Sequence, residues 1–585
     1  MRAQFRFRIR LVLAGILLVA LLIFIRLYIV QIARGASYVE RSERQSSASG
    51  GLFDRGAIYF TRKDGTHISA ATLATGYLVA INPQVLQDPE GAYAAIAKVA
   101  PTVLSHGAFI AAAKKKAQIY IEVAHHLPEA EGTALAALGI PGVAVLRERW
   151  RYYPGGSLAA QSIGIVSYGR GATRSGQTGL EARYDTALTR SGDSLYKNFF
   201  AELFSGATNL LVSAEDMHEG NLITTIEPEV QTRLEDGIAK VTERYGSRAS
   251  GGIIMDPATG AIIAIASYPA YDANDFTKED PKILGNPLVE RVHEFGSIMK
   301  PLTMAAALDA GVVSPSATYN DTGCITANTK RICNWDKKAR GVIPVIEIIK
   351  QSLNVGASWL AARLGQERLR DYFTKLFGEE TGVDLPSESE ALIGNLSSRE
   401  QVNYATAAFG QGVAVTPMQM IRALGALANG GAMVRPHLVS AIELDSGVVR
   451  PVDPGAHTQV FSSEAVRETV TMMDAVFDQK LANGTAKIPT MSVAAKTGTA
   501  QLTKPGGGYY DEGRWFHSEV AFFPSYSPRF IILLYTNDPQ GVEYASETLT
   551  PTLLDLVHFL IDYYEVPPDR GLPAQSGVAS STAAV

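Results

Sequence analysis

A run of apolar residues near the amino terminus constrains this chain more than any other feature. Leu11 to Ile25 holds no polar side chain, and beyond Arg26 the pattern resumes through Leu27, Tyr28, Ile29 and Val30. Taken to Ile32, a helix rising about 1.5 Å per residue crosses a hydrocarbon layer of roughly 30 Å, with Arg26 near one end reaching the headgroups. Arg2, Arg6, Arg8 and Arg10 precede the run, and no acidic residue falls within 1–32. The positive-inside bias therefore predicts 1–10 as a cytoplasmic tail, 11–32 as a single-pass transmembrane anchor and the remainder as extracytoplasmic. The alternative is a signal peptide cleaved near Ala33-Arg34-Gly35-Ala36; continuation of the apolar pattern past the length of an h-region favours the anchor. No later stretch is long enough to cross again.

Everything after the anchor must bury its cores in water. With 46% apolar and 19% charged residues the chain is globular in composition, and a net charge of −5, reached despite five arginines in the first 32 residues, argues against a nucleic-acid footprint. Residues 33–218 read as an α/β domain of short strands and helices, Ala-rich at 91–99 and 107–117. A strand-like run at 221–224 then leads into a helix over Glu229 to Val241, with Val230, Leu234 and Ile238 on one face. Two apolar runs, Gly252 to Met255 and Ala261 to Ile265, flank Pro257-Ala258-Thr259-Gly260 and predict a hairpin. Helical patterns dominate 297–435, β-rich runs return at 492–500, 518–523 and 529–537, and a last helix falls near 549–563. Residues 219–566 are thus expected to form an α+β domain with its first and last strands in one antiparallel sheet. A disordered tail is expected over 567–585.

Three motifs stand in order in that second domain: Ser297-Ile298-Met299-Lys300, Ser352-Leu353-Asn354 and Lys496-Thr497-Gly498-Thr499. A serine hydroxyl needs a base within about 3 Å to act as a nucleophile at neutral pH. Positions i and i+3 share a helix face, so Lys300 can reach Ser297. A lysine is a base only when its pKa is lowered, by burial or by a second cation, and Lys496 is the candidate cation. Pro301 requires that the helix has only just begun. Gly296 and Gly498 are read as leaving room for substrate beside the backbone. A second S-x-x-K, Ser194-Leu195-Tyr196-Lys197, is read as a chance surface match, and His293, His125 and His126 as packing or surface residues.

This trio, in this order, is the signature of penicillin-binding proteins and serine β-lactamases. The chain resembles the class B penicillin-binding proteins, single-pass peptidoglycan D,D-transpeptidases, from the anchor to about residue 566. The likeness includes Arg55-Gly56, Arg151-Tyr152-Tyr153-Pro154, Gly164 and Gly179-Leu180-Glu181, and later Asp256-Pro257, Ser267-Tyr268-Pro269, Gly410-Gln411-Gly412 and Thr416-Pro417-Met418-Gln419. The departures include Phe295, where the family commonly has proline. The resemblance implies a non-catalytic pedestal over 33–218 and a penicillin-binding transpeptidase domain over 219–566. It implies catalytic roles for Ser297, Lys300, Ser352, Asn354 and Lys496, with Thr497, Gly498 and Thr499 binding substrate. The implied substrates are stem peptides, a D-Ala-D-Ala donor and an amine acceptor, with β-lactams as acylating inhibitors and no metal or organic cofactor. It further implies the bacterial inner membrane as location, and a SEDS-family glycosyltransferase and other division proteins as partners. Septal rather than elongation work is favoured by the unextended tail and by Gly508-Tyr509-Tyr510 to Phe523-Pro524.

Other readings share the fold. A serine β-lactamase would not need so long an anchor and pedestal, a β-lactam sensor would carry more membrane segments, and a bifunctional class A enzyme would need a glycosyltransferase motif in 33–218. A non-catalytic anchored scaffold is opposed by the intact trio. The two cysteines, Cys324 and Cys333, are expected to pair in an oxidising compartment; two buried thiols are the alternative.

Overall fold

The computed structural model describes residues 53–168, 174–190, 219–444, 447–453, 455–504, 506–510 and 513–571. The expected tail at 1–10, the anchor at 11–32 and the Ser194-to-Lys197 match lie outside them. Among the described residues no helix is long and apolar enough to cross a membrane.

Two compact units divide the chain. The smaller takes in Leu73–Arg151. Here the later part of a long strand, His67–Ile81, pairs antiparallel with Ile121–Leu127, and helices Pro89–Val99, His106–Ala113 and Glu129–Ala137 accompany it. Val79, Ile81, Ile96, Phe109, Val123 and Leu135 form its core. Asp88 caps the first helix through Gly91 N at 2.9 Å, with Pro89 at its start. His125 lies in this unit at the surface, as expected, between Glu122 and Glu148 at 3.3 and 3.2 Å.

The larger unit comprises Gly56–Thr72, Tyr152–Thr189 and the chain from Leu211 on. The units therefore do not divide at 218. Two segments assigned by sequence to the first domain pack with the second, because strand Ile58–Thr61 pairs in parallel with Gly220–Thr224. Ile163, Ile165, Leu180 and Leu188 join the same apolar cluster as Leu222 and Met255.

The elements of the larger unit that bear on the site are α1 (Pro228–Tyr245), β1 (Ala249–Met255), β2 (Ile262–Tyr268), α2 (Lys300–Asp309), α3 (Asn354–Leu364), α4 (Pro417–Leu427), α5 (Ser463–Gln479), β3 (Ala494–Gln501), β4 (Trp515–Phe523), β5 (Phe530–Asn537) and α6 (Thr550–Tyr563). The strands form one antiparallel sheet in the order β3-β4-β5-β1-β2, so the expected hairpin and the joining of first and last strands are both present. Strand alternation sends Ile254, Ile532 and Leu534 to a cluster with Leu234, Ile238, Leu553 and Leu560 of α1 and α6. The alternate residues, Ile253, Ile531 and Leu533, fall in the other apolar cluster, with Leu302 and Met304 of α2 and Met420 and Leu424 of α4. Because both faces are covered, Phe530-Ile531-Ile532-Leu533-Leu534 is continuously apolar instead of alternating. Helix α4 starts on a capping box, Thr416 with Gln419, at 2.8 and 3.1 Å.

One stretch departs from the sequence expectation. Within the region read as helical, Thr318–Asp321 pairs with Gly341–Pro344, and Cys324–Ala327 with Lys330–Cys333.

A buried acid joins Tyr184 to the larger unit's later sequence. Asp384 accepts Leu438 N at 2.7 Å, Val439 N at 2.8 Å and the Tyr184 hydroxyl at 3.1 Å, and its side chain is shielded from solvent. Asp384→Ala strands three donors, each costing about 1–3 kcal/mol when buried and unpaired. The expected loss is about 3–5 kcal/mol in denaturant unfolding of the larger unit, and a loss under 1 kcal/mol would contradict it.

Candidate active site

The path to Ser297 is fixed by packing on β4. His293 and Val415 exchange backbone hydrogen bonds. The His293 ring stacks on Phe516 with centroids 4.5 Å apart, and Phe295 meets the same ring edge-on at 5.2 Å. His293 is a packing residue, its pKa pushed down to about 4 by burial. Phe295, at the departure from the family pattern, is fully buried, and its carbonyl accepts the Ser518 hydroxyl at 2.8 Å.

Residues Gly296–Met299 form a 3-10 turn that continues directly into α2, with Pro301 in the first turn. Helix α2 is apolar all round: Leu302, Met304, Ala305, Ala306 and Ala307 are inaccessible. That burial carries Lys300, its first residue, into the interior. Lys300 Nζ lies 2.8 Å from Ser297 Oγ, 2.7 Å from the Ser352 carbonyl, 2.8 Å from Asn354 Oδ1 and 3.2 Å from Ser352 Oγ. Burial, and secondly the charge of Lys496, hold its pKa well below the ordinary lysine value. The surroundings suit a neutral amine. Two acceptor-only oxygens, the Ser352 carbonyl and Asn354 Oδ1, take its two N–H groups, and the lone pair is left for the Ser297 hydroxyl.

Ser352 is held at φ 57°, a left-handed conformation that costs a serine about 1–2 kcal/mol. This backbone turns its carbonyl to Lys300 while Oγ stands between the two lysines, 3.0 Å from Lys496 Nζ. Lys496 also donates to the Thr497 carbonyl at 2.9 Å; burial pushes its pKa down to about 7, with Glu519 acting in the opposite sense. Thr497, Gly498 and Thr499 follow on β3, and Thr499 Oγ1 accepts Ala545 N at 3.3 Å.

The two glycines have a different reason from the one read in the sequence. A Cβ on Gly498 would stand 2.3 Å from Ser518 Oγ and 2.5 Å from the Phe295 carbonyl, and one on Gly296 would stand 2.6 Å from the Thr499 carbonyl. Both make room for the protein's own backbone, pressing the nucleophile segment against β3.

The structure brings Ser297, Lys300, Ser352, Asn354 and Lys496 together, and Cys324 is bonded to Cys333 in the adjoining hairpin. Sequence reasoning missed three neighbours. Glu294 accepts Gly412 N at 3.0 Å and the Tyr509 hydroxyl at 2.9 Å. Glu519 is buried on β4 with Thr550 Oγ1 2.9 Å away, its pKa pushed up to about 8 by burial. Asn334 lies at the foot of α3. Only Glu294 carried a signal, its place three residues before Ser297.

A fold of this kind with a buried Ser-Lys pair and a Lys-Thr-Gly strand beside it defines a serine acyltransferase. The chain matches the penicillin binding protein transpeptidase domain over residues 251–557; it belongs to that family. Stage V sporulation protein D of Bacillus subtilis is 28% identical over 449 residues, 74% of this chain and 67% of that protein. Peptidoglycan D,D-transpeptidase FtsI of Escherichia coli is 26% identical over 435 residues, 74% of this chain and 70% of that one. Among solved structures, penicillin-binding protein 3 of Mycobacterium tuberculosis complexed with ampicillin aligns with a TM-score of 0.63 at 25% identity, covering 74% of this chain and 92% of that one.

Proposed function

We propose that this chain is a peptidoglycan D,D-transpeptidase of the septal type, in which Ser297 attacks the carbonyl of the penultimate D-alanine of a stem peptide. The observation that carries this reading is the buried Lys300 amine, 2.8 Å from Ser297 Oγ with its N–H groups engaged elsewhere. As Oγ attacks, its proton passes to Nζ. The oxyanion forms between the backbone N–H groups of Ser297 and Thr499. The C–N bond to the terminal D-alanine breaks as that amine takes the proton, relayed through Ser352 Oγ, which touches both lysines. Lys496 holds the donor's terminal carboxylate with Thr497 and Thr499, and Asn354 orients Lys300 and the donor amide. An amine from a neighbouring stem peptide then attacks the ester, closing the crosslink and freeing Ser297. A β-lactam follows the same first step, but its opened ring stays attached.

The septal assignment is supported by the FtsI name of the E. coli relative. With it go an anchor at 11–32 in the inner membrane, an extracytoplasmic catalytic unit and a SEDS-family glycosyltransferase partner that supplies the glycan. Filamentous cells on depletion are expected, and round cells would instead indicate elongation.

Covalent labelling with a fluorescent penicillin tests the chemistry. Label is expected on the intact protein and on Ser194→Ala, and none on Ser297→Ala. Label surviving in Ser297→Ala, or lost within seconds by hydrolysis, would overturn the transpeptidase reading.

A further inference from the structure

Helix α3 presents Asn354 as its first residue, yet Leu353 before it offers no side-chain cap. The cap comes from elsewhere in the chain. Asn334 Oδ1 accepts Val355 N at 3.1 Å, while its Nδ2 donates to both oxygens of the buried Asp321 carboxylate at 2.9 and 3.1 Å. One residue earlier, the Cys333 carbonyl accepts Asn354 Nδ2 at 3.0 Å. An amide has two unlike ends. With its nitrogen committed to a carbonyl, which can only accept, the Asn354 oxygen is turned to Lys300. Two consecutive residues of one hairpin thus hold the first turn of α3 and aim its functional side chain.

That hairpin is short, and the disulfide lies where it can act on both residues. Strands Cys324–Ala327 and Lys330–Cys333 pair with Cys324 directly opposite Cys333, and the bond joins this terminal pair. Asn334 follows at once, its N–H held by the Gly323 carbonyl at 2.9 Å.

We infer that Asn334 is a positioning residue for acylation of Ser297, and that the Cys324–Cys333 bond holds Asn334 and the Cys333 carbonyl in the places from which they orient Asn354 toward Lys300. This rests on the Ser297–Lys300 reading above. Loss of the orientation removes one of the two acceptors that take the N–H groups of Lys300, so the lone pair is no longer directed at the serine. Substrate binding at Lys496 and Thr499 uses neither residue.

The test is stopped-flow acylation of the full-length protein by a fluorescent penicillin, separating the noncovalent Kd from the acylation rate constant. Asn334→Ala is expected to lower the rate constant about tenfold to a hundredfold, with Kd changing by less than about threefold, since Lys496, Thr497 and Thr499 still hold the carboxylate and only the Asn354 contact to the donor amide is affected. Asn334→Asp alone sets two carboxylates against each other and is expected to be slower still. The exchange Asn334→Asp with Asp321→Asn restores one hydrogen bond of the pair in reverse, since the carboxylate at 334 then accepts Val355 N and the amide at 321, while the charge moves away from Arg340, 3.7 Å from Asp321 in the parent. It is expected to recover the rate to within about threefold. Cleaving the disulfide with a phosphine should slow the parent in the same manner and leave Cys324→Ser, already slow, unchanged. An unchanged rate constant with a smaller amplitude in Asn334→Ala would reveal only misfolding and overturn the inference, as would failure of the exchange to recover the rate. A misplaced nucleophile is a separate outcome: label would then persist in Ser297→Ala whatever the hairpin variants do.

Discussion

Lys300→Gln is expected to slow acylation of Ser297 by roughly 10²–10⁴-fold, the range for loss of a positioned general base. Glutamine is close in length and keeps an N–H donor for the Ser352 carbonyl or Asn354, so the fold is expected to survive while the proton acceptor goes. The pH profile of the parent follows from the same burial. Lys300 has its pKa lowered by burial and then by Lys496, so it stays neutral well below the pH at which a surface lysine would take a proton. Acylation falls on the acid side as that proton returns. On the alkaline side the limb belongs to Lys496, at about pH 7 in the free protein, because an uncharged amine no longer draws the donor carboxylate. The two buried lysines divide the work, Lys300 as neutral base and Lys496 as charged anion holder. Lys496→Arg keeps its charge across the whole range and is expected to move the alkaline limb upward while leaving the acid limb in place. A parent profile flat from pH 5 to 9 would contradict both assignments.

The parts of the site legible in the sequence are those set by local geometry. Ser297 and Lys300 meet because three residues bring side chains to one helix face, and their burial follows from the apolar run of α2, visible as Leu302 to Ala307. The β1–β2 hairpin was legible because Pro257 and Gly260 interrupt two apolar runs. The strands at 318–344 were not. Each has four residues, their side chains alternate weakly, and pairing is imposed by a cysteine bridge and by contacts to α3, none of which leaves a period in the sequence. Ser352 likewise shows no sign of its left-handed backbone, since only its neighbours compel it. The glycines were legible as necessary, but their purpose was not. Sequence suggested space for substrate, whereas Gly296 and Gly498 admit other parts of the protein. The domain boundary failed for a related reason: the pairing of Ile58–Thr61 with Gly220–Thr224 joins residues far apart in sequence.

Gly410→Ala is expected to slow acylation about 10²-fold, the lower end of the range for loss of the base. Three backbones are stacked at the nucleophile. Gly410 accepts Gly296 N at 3.1 Å, and Gly296 lies in turn against the Thr499 carbonyl. A Cβ on Gly410 would stand 2.2 Å from the Gly296 carbonyl oxygen and 2.7 Å from its nitrogen, at a φ of 81°. The conformation alone costs an alanine about 1–2 kcal/mol. The overlap is with backbone, which cannot rotate away, so the segment carrying Ser297 must shift by about 1 Å relative to β3, and a displacement of that size costs about 10²-fold in rate. Gly412 provides the control. It lies two residues on with a similar φ of 77°, but the nearest atom to its added Cβ is Thr406 Oγ1 at 3.3 Å, the end of a side chain. Gly412→Ala therefore carries the conformational cost without the backbone collision, and is expected to lose stability but retain acylation within about tenfold. Measured side by side with the fluorescent penicillin, equal rates in the two variants would mean that the stacked glycines do not place the nucleophile.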